Sequence, residues 1–167
     1  GETSTNKLYD YSNFGSAIIY LKVNGKDEPV RIENGYIVIN REWRKCDMVE
    51  YTLPMQPNKV IAREELKQDK GRIALQRGPI VYCIEGTDNN GKAWDVFIPE
   101  NTKFATIEYK VLVEPVQALT AEVPIVTVGE DGLSLKTEKK KIIAIPYYTW
   151  ANRGKNEMQV WLPTKIT

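Results

Sequence analysis

The chain has 167 residues, 42% apolar and 27% charged, with 23 basic against 22 acidic side chains, which suits one comfortable globular domain or two small ones. A net charge of +1 with no clustered basic face argues against a nucleic-acid partner, and no apolar run approaches the roughly 18 residues of a membrane span. The absence of histidine removes the commonest general base and the commonest metal ligand together.

Residues 1–15 are polar, with Tyr9, Tyr11 and Phe14 interspersed, and read as a loosely held arm. Residues 17–23 read as a strand closed by the turn signal Asn24-Gly25. A short return strand follows at 29–33. Asn34-Gly35 then marks a tight turn into an alternating strand at 36–40, with Trp43 just beyond it and expected to plug one end of the core. Residues 48–53 alternate cleanly, with Val49, Tyr51 and Leu53 on one face, and stop at Pro54, which has no N–H to give to a ladder. Residues 59–62 read as a further strand and the charged stretch 64–70 as a helical turn.

The stretch 71–85, GRIALQRGPIVYCIE, is the centre of the chain's organisation. Ile73 and Leu75 alternate, Arg77-Gly78-Pro79 bends the chain, and Ile80-Val81-Tyr82-Cys83-Ile84 runs five residues without a charge. A run this short, bounded by Gly-Pro and by Glu85 and rich in β-branched and aromatic side chains, predicts a central strand buried on both faces. Residues 85–92 are the longest polar, turn-rich run inside the chain and the expected boundary between two structural units. Strand-like stretches follow at 94–98, 103–108, 110–119, 122–128, 133–135 and 141–145, with a turn at Asp131-Gly132 and a stop at Pro146. The basic run 136–141, which contains Glu138, reads as a solvated loop. Residues 147–154 form an aromatic and polar loop, and residues 158–162 a last strand before Pro163.

Roughly a dozen short strands, turn signals every 8–12 residues and no 3.6-residue periodicity predict an all-β fold. The expected form is an antiparallel β-sandwich in two small subdomains, jelly-roll or immunoglobulin-like. The first would span 1–86 and the second 87–157, with 158–163 the last strand.

Few residues offer chemistry. The acidic pairs Asp27-Glu28, Glu64-Glu65 and Glu130-Asp131 sit in turn-like surroundings and read as solvated loops rather than as the spaced carboxylates of glycoside hydrolysis. No Ser-x-x-Lys spacing and no Gly-x-Ser-x-Gly elbow occurs. Cys46 follows Arg44-Lys45, and neighbouring positive charge favours a thiolate, but the residue reads as incidental. Cys83 sits in the apolar strand as a small hydrophobe, and a Cys46–Cys83 disulfide stays open. Two cysteines without histidine fall short of a structural zinc site, and no Gly-rich phosphate loop or EF-hand loop is present. No cofactor is expected in this chain.

The candidate site is therefore the loop at 147–154, which carries Tyr147, Tyr148, Trp150, Asn152 and Arg153. Aromatic faces with an amide and a guanidinium can stack on a sugar ring and bond its hydroxyls. In the competing reading, Tyr147 and Trp150 plug the core while Asn152 and Arg153 pin a loop or an interdomain contact.

The stretch 71–85, together with AIPYYTWANRGKNEMQVWLP at 144–163, resembles the C-terminal part of glycoside hydrolase family 127, the beta-L-arabinofuranosidase family. Val23-Asn24-Gly25-Lys26 resembles the family's Val-Asn-Gly turn. Residues 35–43, followed by Asp47 and Leu53-Pro54-Met55, resemble its Gly-Tyr…Arg-x-Trp stretch. The likeness covers about residues 20–163. It implies a larger carbohydrate-metabolising hydrolase in which an N-terminal (α/α)6 barrel holds the active site, with a cysteine nucleophile and a zinc bound by cysteines and a glutamate. β-sandwich domains follow the barrel. Cys46 and Cys83 lie in neither context, so no catalytic or metal residue carries over. The implied role is a non-catalytic accessory sandwich partnered by the missing barrel. A carbohydrate-binding module is the alternative, and an autonomous enzyme the weakest reading. The resemblance also implies a last strand that returns to the first sheet, and leaves a periplasmic, secreted or cytoplasmic parent open. Where the family has an earlier strand ending in a Pro-Gly-Trp-like segment, this chain has residues 7–16 instead. A missing strand would leave an open edge, and the expectation is a dimer or swapped oligomer through residues 1–25.

Overall fold

A computed structural model describes residues 8–11 and 19–165. Its fourteen strands are β1 (Tyr9–Tyr11), β2 (Tyr20–Val23), β3 (Lys26–Asp27), β4 (Ile32–Glu33), β5 (Tyr36–Ile37), β6 (Val49–Thr52), β7 (Pro57–Ala62), β8 (Arg72–Arg77), β9 (Ile80–Glu85), β10 (Ala105–Lys110), β11 (Pro115–Val128), β12 (Leu135–Pro146), β13 (Met158–Gln159) and β14 (Leu162–Pro163). The only helical pieces among the described residues are three single 3-10 turns, one of them at Lys67–Asp69 inside the charged stretch expected to turn. The all-β class and antiparallel pairing read from the sequence are what the chain adopts.

The main sheet runs β1-β7-β8-β9-β12-β11-β10. Its centre is the hairpin of β8 and β9, turned at Gly78, where φ of 56° suits a residue without a side chain. Near the turn, Leu75, Gln76 and Arg77 pair with Tyr82, Val81 and Ile80. Farther out the two strands diverge. Ile73 and Arg72 then pair with Leu162 and Pro163 of β14, while Ile84 and Glu85 pair with Gln159 and Met158 of β13. The returning segment fills the opening of the hairpin and satisfies backbone groups that parting strands would leave bare.

Alternation on β9 sends its side chains into two cores. Tyr82 and Ile84 join Leu75, Val96, Ile98, Leu119, Val123, Ile142 and Leu162 in the larger cluster. Cys83 points the other way, to Val111 and Ile145. Tyr82, Cys83 and Ile84 are each at most 1% exposed, as expected of a central strand, while Val81 near the turn is 39% exposed. Fully burying a side chain such as Ile84 contributes about 2 kcal/mol.

Residues 19–55 hold the two small sheets, β3-β2-β6 and β4-β5. Both Asn-Gly signals are turns with positive φ at each residue, as primed hairpin turns require. Only Leu21 and Val23 are buried in this region. Asp47 ties it together: its Oδ1 accepts from Asn24 Nδ2 at 2.8 Å and its Oδ2 from the Arg44 N–H at 2.8 Å.

Several expectations are corrected. Part of the supposed loose arm is ordered: β1 pairs with β7, Arg63 bridges to Asp10 at 3.0 Å, and Tyr9 stacks on Trp161 at 5.7 Å. The rest of that arm, residues 1–7 and 12–15, lies outside the described residues, as do 17 and 18 of the expected first strand. Trp43 plugs no core; it is 51% exposed, with the Arg41 guanidinium 5.5 Å from its ring. Residues 94–98 form no strand; they meet the sheet at the Val96–Ile125 bridge, where the Val126 N–H donates to the Asp95 carbonyl at 3.1 Å, and at Ile98, whose N–H donates to the Pro163 carbonyl at 2.7 Å. The stretch 110–119 is split, Lys110 ending β10 and residues 115–119 joining 122–128 in the continuous β11, which pairs with β10 only as far as Thr120. Beyond that point only one flank is laddered, which is why Pro124 fits within a long strand. The basic run 136–141 is not a loop. It lies in β12, paired with residues 122–127 while its side chains stay largely exposed.

Candidate functional site: an aromatic loop on a buried ionic clamp

After Pro146 the chain turns once through Tyr147–Thr149. The Thr149 hydroxyl donates to the Pro146 carbonyl at 2.6 Å, and the Trp150 N–H donates to the Tyr147 carbonyl at 3.2 Å. Ala151 takes a φ of 63°, which aims its N–H at Glu85 Oε1, 2.9 Å away. Two residues later Arg153 reaches under the loop. Its Nη1 donates to Asp88 Oδ1 at 2.6 Å, and its Nη2 to Asp88 Oδ2 at 2.5 Å and to Glu85 Oε2.

Both carboxylates are sealed. The side chain of Glu85 is 0% exposed and that of Asp88 1%, against 15% for Arg153. Two negative charges facing one guanidinium need further donors, and they have them. The Ala151 N–H serves Glu85, and the Tyr109 hydroxyl donates to Asp88 Oδ1 at 2.8 Å. Hydrogen bonding to Asp88, more than to Glu85, holds the Arg153 guanidinium above its ordinary range. Burial, then the bond to Asp88, raises the Tyr109 phenol. Cys83, alongside, is pushed up to about 12, chiefly by burial and then by the charges of Glu85 and Asp88.

Beside the clamp, Asn89 fastens the 86–91 turn to the sheet. Its Nδ2 donates to the carbonyls of Glu85 at 2.8 Å and Ile143 at 3.0 Å, and its Oδ1 accepts from the Ile143 N–H at 3.0 Å.

The five candidate residues therefore divide. Tyr147, Tyr148 and Trp150 reach the surface at 42%, 67% and 38% exposure, with Tyr147 and Trp150 stacked at 5.9 Å and 29°. Asn152 turns its Nδ2 back onto the carbonyls of Thr149 and Trp150, at 3.1 and 3.2 Å. Arg153 points inward. Sequence reasoning missed Glu85 and Asp88 as its partners, Tyr109 as the further donor to Asp88, and Asn89 as the anchor of the adjoining turn. The one available signal was a carboxylate closing an otherwise uncharged strand, which in a buried position needs a cation.

The other candidates stay apart from this cluster. Asp27, Glu28, Glu64, Glu65, Glu130 and Asp131 belong to the surface, and Asp131 Oδ1 closes its own turn by accepting from the Leu133 and Ser134 N–H groups. Both thiols are free, Cys46 exposed and Cys83 buried. Among the described residues, no three acidic, cysteine or histidine side chains converge where they could hold a metal ion.

Comparison with known proteins adds the context. Residues 57–163 match the glycoside hydrolase family 127 C-terminal domain, and residues 15–55 match the beta-L-arabinofuranosidase, GH127 middle domain. A non-reducing end beta-L-arabinofuranosidase from Bifidobacterium longum subsp. longum is 31% identical over 152 residues, covering 84% of this chain and 23% of its own length. Among solved structures, a GH127 beta-arabinofuranosidase superposes with a TM-score of 0.87 at 33% identity, over 95% of this chain and 25% of that one. A GH127 beta-L-arabinofuranosidase from Geobacillus stearothermophilus T6 gives a TM-score of 0.77 at 33% identity, over 87% and 24%. The chain thus spans about a quarter of the length of these relatives, and the boundary between the two domain matches falls where the small sheets give way to β7. On these matches, the chain belongs to glycoside hydrolase family 127.

Proposed function

We propose that this chain is a non-catalytic accessory β-sandwich region of a glycoside hydrolase with an arabinofuranosidase-like parent, and that it braces the catalytic barrel of the same polypeptide. The observation that carries this reading is the pair of domain matches, a middle and a C-terminal domain that together make up about a quarter of enzymes named as beta-L-arabinofuranosidases. Local chemistry supports it. The buried carboxylates are already committed to Arg153, and a thiol with its pKa near 12 is a poor nucleophile at neutral pH. The ring-bearing loop is the part best placed to press on a neighbouring domain, because the clamp beneath it fixes its shape before contact.

The test is hydrolysis of a chromogenic beta-L-arabinofuranoside by this chain. No turnover is expected; turnover abolished by Cys46→Ala would refute the reading. A second reading, a sugar-binding module, draws on the near-parallel exposed rings of Tyr147 and Trp150. Titration with arabinan fragments would then quench tryptophan fluorescence, and a flat titration at millimolar sugar leaves bracing alone.

The assembly reading is self-association through residues 1–25. Within that span β2 has β3 and β6 on its two sides, and β6 is the outer strand of the small sheet. A strictly monomeric sedimentation profile at high concentration counts against it.

A further inference from the structure

A groove of about 770 Å³ lies where the 92–97 segment crosses the far end of β11 and the starts of β8 and β12. None of the rings of the 147–150 loop lines it. Trp94 forms one wall with 59% of its surface exposed, and Phe97 lies beside it. Arg72, Lys92 and Lys165 contribute three cations against the single carboxylate of Asp95. Lys92 shares Glu157 at 3.5 Å, whereas among the described residues neither Arg72 nor Lys165 has a carboxylate within ion-pair distance. Gln159, 6% exposed, lies in the lining. Its Nε2 donates to the Trp161 carbonyl at 3.0 Å while its Oε1 has no donor. A buried acceptor of this kind adds polar character beneath the lining.

We propose that this groove binds an oligosaccharide carrying a carboxylate. The volume falls within the range of ligand sites. The flat exposed face of Trp94 suits the apolar face of a sugar ring, and the uncommitted guanidinium of Arg72 suits a carboxylate, which it can grip with two parallel bonds. The groove is open along one side, where Val128 and Leu135 are each 64% exposed, so a chain of rings can continue past it. A compact ligand that must be enclosed would be poorly held there. The site needs neither the bracing role nor the sugar-binding reading of the 147–154 loop.

Isothermal titration calorimetry of the 167-residue chain with trigalacturonic acid, its fully methyl-esterified form and ATP tests the proposal. The acid should bind with a millimolar or better Kd that weakens as sodium chloride rises, while the ester and ATP bind far more weakly. The double variant Arg72→Gln, Lys165→Gln should weaken binding about tenfold, the sum of two exposed charge contacts. Trp94→Ala should abolish binding and Trp150→Ala should leave it intact. Circular dichroism and thermal melts check each variant's fold; if Trp94→Ala does not fold, the charge variant decides. No heat at about 10 mM trigalacturonate, equal affinity for the ester, equal affinity for ATP, or loss in Trp150→Ala with retention in Trp94→Ala would each overturn the proposal.

Discussion

At the scale of single residues, the clamp of Arg153 on Glu85 and Asp88 is the most consequential feature. Removing the cation would strand two carboxylates that water does not reach. Arg153→Ala should therefore cost about 3–5 kcal/mol in chemical denaturation, the usual penalty for orphaning a buried charge. Arg153→Lys should recover only part of that, because an ammonium cannot span both Oδ atoms of Asp88 and still reach Glu85. The cysteines offer a second measurement. Burial and the neighbouring acids raise Cys83, so it stays a thiol at neutral pH. A maleimide should label exposed Cys46 in the native protein and reach Cys83 only after unfolding; rapid native labelling at both positions would contradict this. Little of the clamp was legible in the sequence. Arg153 drew notice as part of an unusual loop, but its partners lie 65 and 68 residues away, and no local pattern encodes that meeting.

At the scale of elements, the sequence spoke clearly wherever a turn demanded special backbone. Asn24-Gly25, Asn34-Gly35 and Gly78-Pro79 are turns because few residues adopt their conformations, and the strands beside them follow. It spoke poorly along β11 and β12. Thr120-Ala121 and the basic run 136–141 read as interruptions, but a two-stranded ladder whose other flank carries only the Val96–Ile125 bridge tolerates charge and even Pro124. Gly86 shows the opposite case, a glycine whose need no turn rule announces. Its φ is ordinary, but a Cβ there would lie 2.9 Å from the Gly91 carbonyl oxygen. Gly86→Ala should cost about 1–3 kcal/mol by forcing the turn off Asn89. In amide hydrogen exchange, protection should fall first at Asn89 and Ile143, whose N–H groups bond within that junction.

At the scale of the whole molecule, the two stretches that carried the family resemblance, 71–85 and 144–163, are the two that pack together. One supplies the diverging hairpin and Glu85; the other supplies Arg153 and the inserted strands. The return of the last strand is implied by the family resemblance and not by composition or periodicity. The sequence could not show that the segment would split into β13 and β14, because that depends on how far the hairpin opens. Residues 19–55 contrast with the rest, keeping Tyr20, Tyr36, Met48 and Tyr51 more than 60% exposed. Limited proteolysis should accordingly cut within 19–55 before 57–163, since few buried apolar contacts resist local opening there; the reverse order of cleavage would be inconsistent with these sheets.

The wedge of β13 and β14 also sets a timetable for biosynthesis. Polypeptide emerges from the ribosome in order, so the halves of the 72–85 hairpin are exposed long before the piece that fits between them has been translated. During that interval Ile73 and Ile84 lack the neighbour that shields them, and the nascent chain is open to proteases and to wrong pairings. A chain arrested with Leu162 still in the exit tunnel should be cleaved readily near the hairpin, and release should close it within the time the final strands take to dock.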